Sequence, residues 1–428
     1  MKYLLNVSLV PKRLYVLSLL TIALGLIPIH SWAFKISPCM RVLKLVDGIP
    51  TQDKVRDINF CGWLKEDYKS AVHEHMVLSS ILLYAGRGGL NINKRGWKYP
   101  YLDKEEWAVR YVESNPWGMQ PSYHLTKAII YGVWWNDDPL MTMLYQGKDF
   151  LSGVNKFKNI LEPGQARYPT SQLGVFIDAK DHLGHESHFG TLQHLHFMSD
   201  IKDSKITANE RIKFTTDKAL NWIRFAYDVA TKVHHPDDPL TDKMDIGFSL
   251  KSIGLNVGAD PKNLKVKSLF TPTSMDPDQR LKITHDVALG SMFHVIEDSW
   301  SSSHTCRVER SLGSKKIAVL KDVYNYDIQS KDKKNGGEPM HNLQDRYPTW
   351  LVNNVAQKNY QPYENGPVEV SAWLLSAVDQ RLPWNDVETH LRNTIFAKID
   401  DPSQKDGDCL FKRPKECVFD PLTSSCSK

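Results

Sequence analysis

Asp276 to His304 reads DPDQRLKITHDVALGSMFHVIEDSWSSSH, and the rest of the chain is organised around it. Asp276 suits a helix N-cap, Pro277 the first helical position, and Gln279 can return the capping bond. Farther along, His294 and Asp298 stand four residues apart, so both leave one face of that helix. One turn earlier on the same face come Gly290 and Ser291, too small to block a neighbouring element. His304 follows after Ser301, Ser302 and Ser303, a run that favours a turn over continued helix. A helical His/Asp pair with a third ligand on the returning loop suits a divalent metal such as zinc, which accepts imidazole nitrogen and carboxylate oxygen. The competing reading is a solvated helix end with incidental histidines.

Composition bounds the class. The 428 residues are 41% hydrophobic and 24% charged, ordinary for a soluble globular protein. The first 31 residues carry Lys2, Lys12 and Arg13 and no acid, then run apolar from Leu14 to Ile29. That run is short for a membrane span and right for a secretory signal peptide, so the expected division is residues 1–31 as signal and 32–428 as one domain. Cleavage after Ser31 leaves Trp32 first, whereas cleavage after Ala33 leaves Phe34. Removing residues 1–31 lowers the formal charge from +5 to +2, too little to draw in nucleic acid. Six cysteines in an exported chain imply disulfides, with Cys39 and Cys61 the local pair and the pairing of Cys306, Cys409, Cys417 and Cys426 open.

Upstream of the organising stretch, Glu66 to Tyr84 is helical in pattern and ends at Gly86. It carries His73 and His75, which point about 200° apart on a helix, so only one faces inward. His75 shares its side with Ala71, Val72, Leu78 and Leu82 and is preferred. Residues 86–104 read as a loop in which Trp97, Tyr99 and Tyr101 alternate with Lys94, Arg95 and Lys98. That mixture can touch a lipid interface, or simply be solvated. A helix over residues 122–135 delivers Asp137 and Asp138 at its end, before Pro139. Next, DHLGHESHFGTLQHLH packs five histidines into fifteen residues. His196 has the most apolar context, with His188 and His194 as alternatives. Thr207 to Val233 is a long amphipathic helix. Residues 234–275 read as an irregular connection, and residues 307–337 as charged loop with short elements. His341 and Asp345 form a second pair at a spacing of four. Two more helices follow between Pro367 and Ile399.

The order His294, Asp298, His304 resembles the central zinc signature of the secreted bacterial zinc-dependent phospholipases C, a superfamily shared with fungal single-strand zinc nucleases. The spacing is retained, but Val295, Glu297 and Ser302 stand where those families usually place an aromatic residue, Gly or Thr, and Pro. The resemblance covers most of the mature chain as a ligand order and residues 290–304 as a dense motif. It implies a mainly α, multi-helix zinc phospholipase C-like domain with long loops. It also implies a ligand set of Trp32, His75, Asp137 or Asp138, His196, His294, Asp298, His304, His341 and Asp345. Three zinc ions would be held, with Asp298 bridging two, and Asp137 or Asp138 would orient or deprotonate the attacking water. The expected reaction is attack of zinc-bound hydroxide on a glycerophospholipid such as phosphatidylcholine at a membrane or micelle surface. It releases diacylglycerol and a phosphorylated head group, outside the cell after export through the periplasm. No nucleic acid and no obligate protein partner are expected. Asp345 in place of Glu favours the alternative, a secreted single-strand nuclease or 3′-nucleotidase. A non-catalytic secreted metal-binding protein is the third reading.

Overall fold

The computed structural model describes residues 43–46, 49–52, 72–86, 108–113, 123–137, 168–170, 175–177, 183–201, 205–241, 244–248, 264–271, 275–326, 363–399, 409–410, 418–420 and 425–427. Trp32, Asp138, His341 and Asp345, the cysteines Cys39 and Cys61, and the expected signal peptide lie outside them. Of the described residues 57% are helical and 11% lie in strands, so this part of the protein is mainly α.

The elements run β1 (Leu43–Val46), β2 (Ile49–Gln52), α1 (Val72–Gly86), β3 (Ala108–Glu113), β4 (Tyr123–Thr126), α2 (Lys127–Trp135), β5 (Tyr168–Thr170), β6 (Val175–Ile177) and α3 (Leu183–Phe189). A 3₁₀ turn (Gln193–His196) leads to α4 (Ala208–Ala230), α5 (Val266–Phe270), α6 (Pro277–Asp298), β7 (Thr305–Leu312), β8 (Lys315–Val323), α7 (Pro367–Gln380), α8 (Trp384–Asn393), β9 (Val418–Asp420) and β10 (Ser425–Ser427). The first four strands form one sheet in the order β2-β1-β3-β4, and the remaining strands pair two by two.

Helix α6 is the hub, with α1, α2, α4, α5 and α7 packing on it. Its start follows from the sequence: Asp276 accepts the amides of Asp278 at 3.1 Å and Gln279 at 3.0 Å, and Pro277 opens the first turn. From Val287 to Asp298 it is buried all round, as an apolar helix must be when neighbours cover every face. Helix α4 begins in a reciprocal cap in which Thr207 and Glu210 satisfy each other's backbone amides.

Helices α2 and α6 approach each other closely. A Cβ on Gly290 would lie 2.3 Å from the Ile129 carbonyl oxygen and 2.7 Å from the Gly132 Cα, so both glycines are required where the backbones touch. A hydrogen-bond relay pins the same crossing. Trp222 donates to Ser291 Oγ (3.0 Å), Ser291 to Asn136 Oδ1 (2.7 Å), and Asn136 to the Leu195 carbonyl (2.6 Å). It joins α4, α6, the end of α2 and the 3₁₀ turn, the elements that meet at the site.

One expectation is corrected here. Residues 307–323, expected as charged loop with short elements, form most of an antiparallel hairpin, β7–β8, with a register shift between Cys306 and Arg307 and with Gly313 in the left-handed region at its turn. The strand pattern is hidden because the buried Arg307 stands among apolar positions. Its guanidinium donates to the carbonyls of Ser299, Ala318 and Ile395 and lies 4.9 Å from the Trp300 ring. A cation against the C-terminal end of α6 also suits that helix's dipole. The histidine-rich stretch is divided between two elements: α3 stops at Phe189, and the 3₁₀ turn starts at Gln193. A disulfide joins Cys306 to Cys409.

Candidate metal centre

Five histidines and three carboxylates meet beside the C-terminal half of α6, all buried: His73, Asp137, His188, His196, His294, Glu297, Asp298 and His304. Helix α6 supplies His294, Glu297 and Asp298, and the turn after it His304. Helix α1 supplies His73, the turn after α2 supplies Asp137, α3 His188, and the 3₁₀ turn His196.

Asp298 lies at the middle. Its Oδ2 is 2.9 Å from His294 Nε2 and 3.0 Å from His196 Nδ1, and those two nitrogens are 3.0 Å apart. Its Oδ1 is 3.4 Å from His73 Nε2. Zinc bonds of 2.0–2.2 Å arranged as a tetrahedron put neighbouring ligand atoms about 3.3 Å apart, so these spacings match the edges of such a polyhedron. Two groups result, His73 with His294 and Asp298, and Asp137 with His188 and His196. Within each the ligand atoms lie inside 4.8 Å of one another, and either can hold a metal ion. His196 connects them, its Nδ1 standing 3.9 Å from Asp137 Oδ1.

The histidines are held from behind. His294 Nδ1 donates to the Val133 carbonyl and His304 Nδ1 to the His196 carbonyl, both at 2.6 Å. A carbonyl only accepts, so Nδ1 carries the proton and the lone pair sits on Nε2. His188 Nδ1 meets Ser187 Oγ at 2.9 Å, and His73 Nδ1 meets Glu297 Oε2 at 2.6 Å. Metal-binding imidazoles are characteristically tied through the nitrogen that does not ligate. The neutral His294 thus turns its Nε2 lone pair towards Asp298 Oδ2 at 2.9 Å and His196 Nδ1 at 3.0 Å, where either a shared proton or a cation can be held. His196 Nε2, also buried, has no hydrogen-bond partner.

Electrostatics agrees. Burial foremost, with neighbouring His188, His294, His304 and His73, holds His196 well below the usual imidazole range. Burial also lowers His294, against the opposing pull of Asp137 and the Val133 bond. Glu297 is pushed well above the usual carboxylate range by burial, Asp298 and Glu74. Neutral imidazole is the form that ligates a divalent cation, so the shifts are compatible with a metal site.

His194, one of the sequence alternatives, is buried on the same turn, and burial holds its pKa at about 3. No ion pair or metal group includes it among the described residues. Its folded pKa lies below the unfolded value near 6.5, so the stability it confers is present above pH 6.5 and is lost as pH falls towards 3. The loss at pH 4 is about 3 kcal/mol relative to pH 7. Unfolding of the metal-free protein is expected to become correspondingly easier at pH 4, and His194→Gln to flatten that dependence. An unchanged pH profile in His194→Gln would contradict it.

Of the sequence candidates, the structure brings Asp137, His196, His294, Asp298 and His304 together and adds the reserve His188. On α1 the structure brings His73 to the centre, the histidine passed over in the sequence in favour of His75. The side chain of His75 lies outside the described residues. The signal was there: His73 leads Val77, Ser80, Ile81 and Tyr84 at helical spacing, and all of these are buried. Glu297 is the other residue missed, read only as a departure from the expected motif. No protein-family model, curated protein or solved structure matches the chain.

Proposed function

We propose that this protein is an exported zinc-dependent phosphodiesterase of the phospholipase C type, and that the buried His/Asp centre is its active site. The observation that carries this reading is the set of imidazole Nε2 atoms tied through Nδ1 and grouped about Asp298. A donor set rich in nitrogen, with few carboxylates, suits zinc better than the oxygen-seeking magnesium or calcium. His196 Nε2 supports the fit, because leaving such an atom buried and unbonded costs about 1–3 kcal/mol.

Zinc bound there would lower the pKa of water from 15.7 to about 7 and neutralise phosphoryl oxygens. Asp298, whose Oδ1 faces His73 and whose Oδ2 faces both His294 and His196, would offer ligand oxygens to both groups. Asp137, beside His196 and outside the crowded His73–His294–Asp298 set, would orient the attacking water or accept its proton. His341 and Asp345 are proposed to complete the ligand set by their spacing, as Trp32 is by its place at the expected cleavage site. The near-neutral mature charge and the aromatic–basic segment 86–104 favour a phospholipid surface over nucleic acid.

The test is hydrolysis of phosphatidylcholine and of single-stranded DNA by the chain from Trp32 onward, each with and without chelator. Phosphocholine release that stops with chelator and returns with zinc is the expected result. Cleaved DNA beside intact lipid would replace the reading with the nuclease, which Asp345 favours. A zinc-loaded protein inert towards both would mark a closed, non-catalytic site, consistent with the burial of every described ligand.

A further inference from the structure

We infer that Glu297 is a positioning residue of the metal centre, accepting the hydrogen bond of His73 Nδ1–H so that the ring presents Nε2 beside Asp298. The inference rests on the metal-centre reading above and adds to it a residue that the expected motif does not contain.

Glu297 and His73 lie 224 residues apart in sequence, on α6 and α1, and meet at 2.6 Å with both side chains fully buried. The opposite ring nitrogen, Nε2, is then 3.4 Å from Asp298 Oδ1. The ring also stacks on His294, with centroids 4.1 Å apart and planes 18° apart. Its tilt is therefore set by one ligand and its rotation about the ring normal by Glu297. The other anchors described above are neutral oxygens: the Val133 and His196 carbonyls and the Ser187 hydroxyl. The His73 anchor differs from these in being an acid side chain carried by α6 itself, next to Asp298.

Packing alone gives no reason for an acid here. Between α1 and α6 an apolar side chain could be buried without the cost of burying a carboxyl next to Asp298 and Glu74. A residue kept against its own burial cost, hydrogen-bonded to the non-ligating nitrogen of a histidine in the cluster, is placed for that histidine.

The experiment measures zinc affinity of the full mature chain by competition with a chromophoric chelator. It compares wild type, Glu297→Gln, Glu297→Ala, His73→Ala and the double variant, with urea unfolding of each metal-free protein. Glu297→Gln is expected to weaken the tightest-coupled zinc about tenfold and Glu297→Ala about 10- to 100-fold. The double variant should lose no more than His73→Ala alone, and metal-free Glu297→Gln should unfold no more easily than wild type. A purely structural Glu297 predicts the reverse, easier unfolding with zinc affinity unchanged. Affinities within about twofold of wild type, or losses that add in the double variant, overturn the inference. If Glu297→Ala does not fold, the near-isosteric Glu297→Gln decides. A wild-type chain that binds no zinc would overturn the metal-centre reading and this inference together. Zinc-binding wild type with unaffected variants overturns this inference alone.

Discussion

Asp298→Asn protein is expected to hold at least one zinc ion fewer than wild type and to hydrolyse phosphodiesters about a thousandfold more slowly. The asparagine keeps the shape of the side chain but removes the negative charge that faces His294, His196 and His73 at 2.9, 3.0 and 3.4 Å. An amide oxygen cannot serve two cations as a carboxylate does. Metal catalysis is worth several kcal/mol of charge stabilisation, so losing one ion at about 4 kcal/mol corresponds to the thousandfold. The substitution should not harm the metal-free fold, since it takes a charge away from the buried neighbourhood of Glu297. Metal analysis of the purified variant beside its hydrolysis rate gives the answer. Wild-type zinc content in a folded Asp298→Asn protein would remove Asp298 from the centre.

Gly290→Ala is expected to destabilise the protein by at least about 3 kcal/mol, although alanine is the better helix former by about 1 kcal/mol. The added methyl would lie 2.3 Å from the Ile129 carbonyl oxygen and 2.7 Å from the Val133 nitrogen. Both are backbone atoms of α2, so no side chain can swing away and the helices must separate. The steric term therefore wins. Separation also draws the Val133 carbonyl from His294 Nδ1, now 2.6 Å away, and zinc affinity should fall with stability. Urea midpoints and zinc competition on one sample test both parts. An alanine variant as stable as wild type would mean that α2 and α6 do not cross as closely as described.

Residues that work within one helix were legible in the sequence, and those that depend on distant partners were less so. Asp276 and Pro277 announce the start of α6, and the spacing of His294 and Asp298 places them on one face before any tertiary contact is known. His304 follows from its place after a turn. His73 was lost to His75 because both have apolar neighbours on α1, and the choice depends on which side α6 covers. His188 and His196 could not be ranked by angle about one axis, because Gly190 to Leu192 separates their elements. Glu297 is invisible to helical spacing, since its partner stands on another element. The β7–β8 hairpin escaped because Arg307 is a cation buried among carbonyls, and composition reads a cation as exposed. The side-chain contacts of Trp32, His341 and Asp345 lie outside the described residues.

The pairing of His73 with Glu297, 224 positions away along the chain, also bears on the order of assembly. Helices such as α4 and α6 form from near neighbours, but the two walls of the centre meet only after the intervening chain has been drawn in, and closing so large a loop is slow. The glycine crossing and the Ser291–Asn136 bond, whose partners stand 155 positions apart, also close long loops, so the walls of the centre and the helix crossing that supports them are expected to form together and late, neither seeding the other.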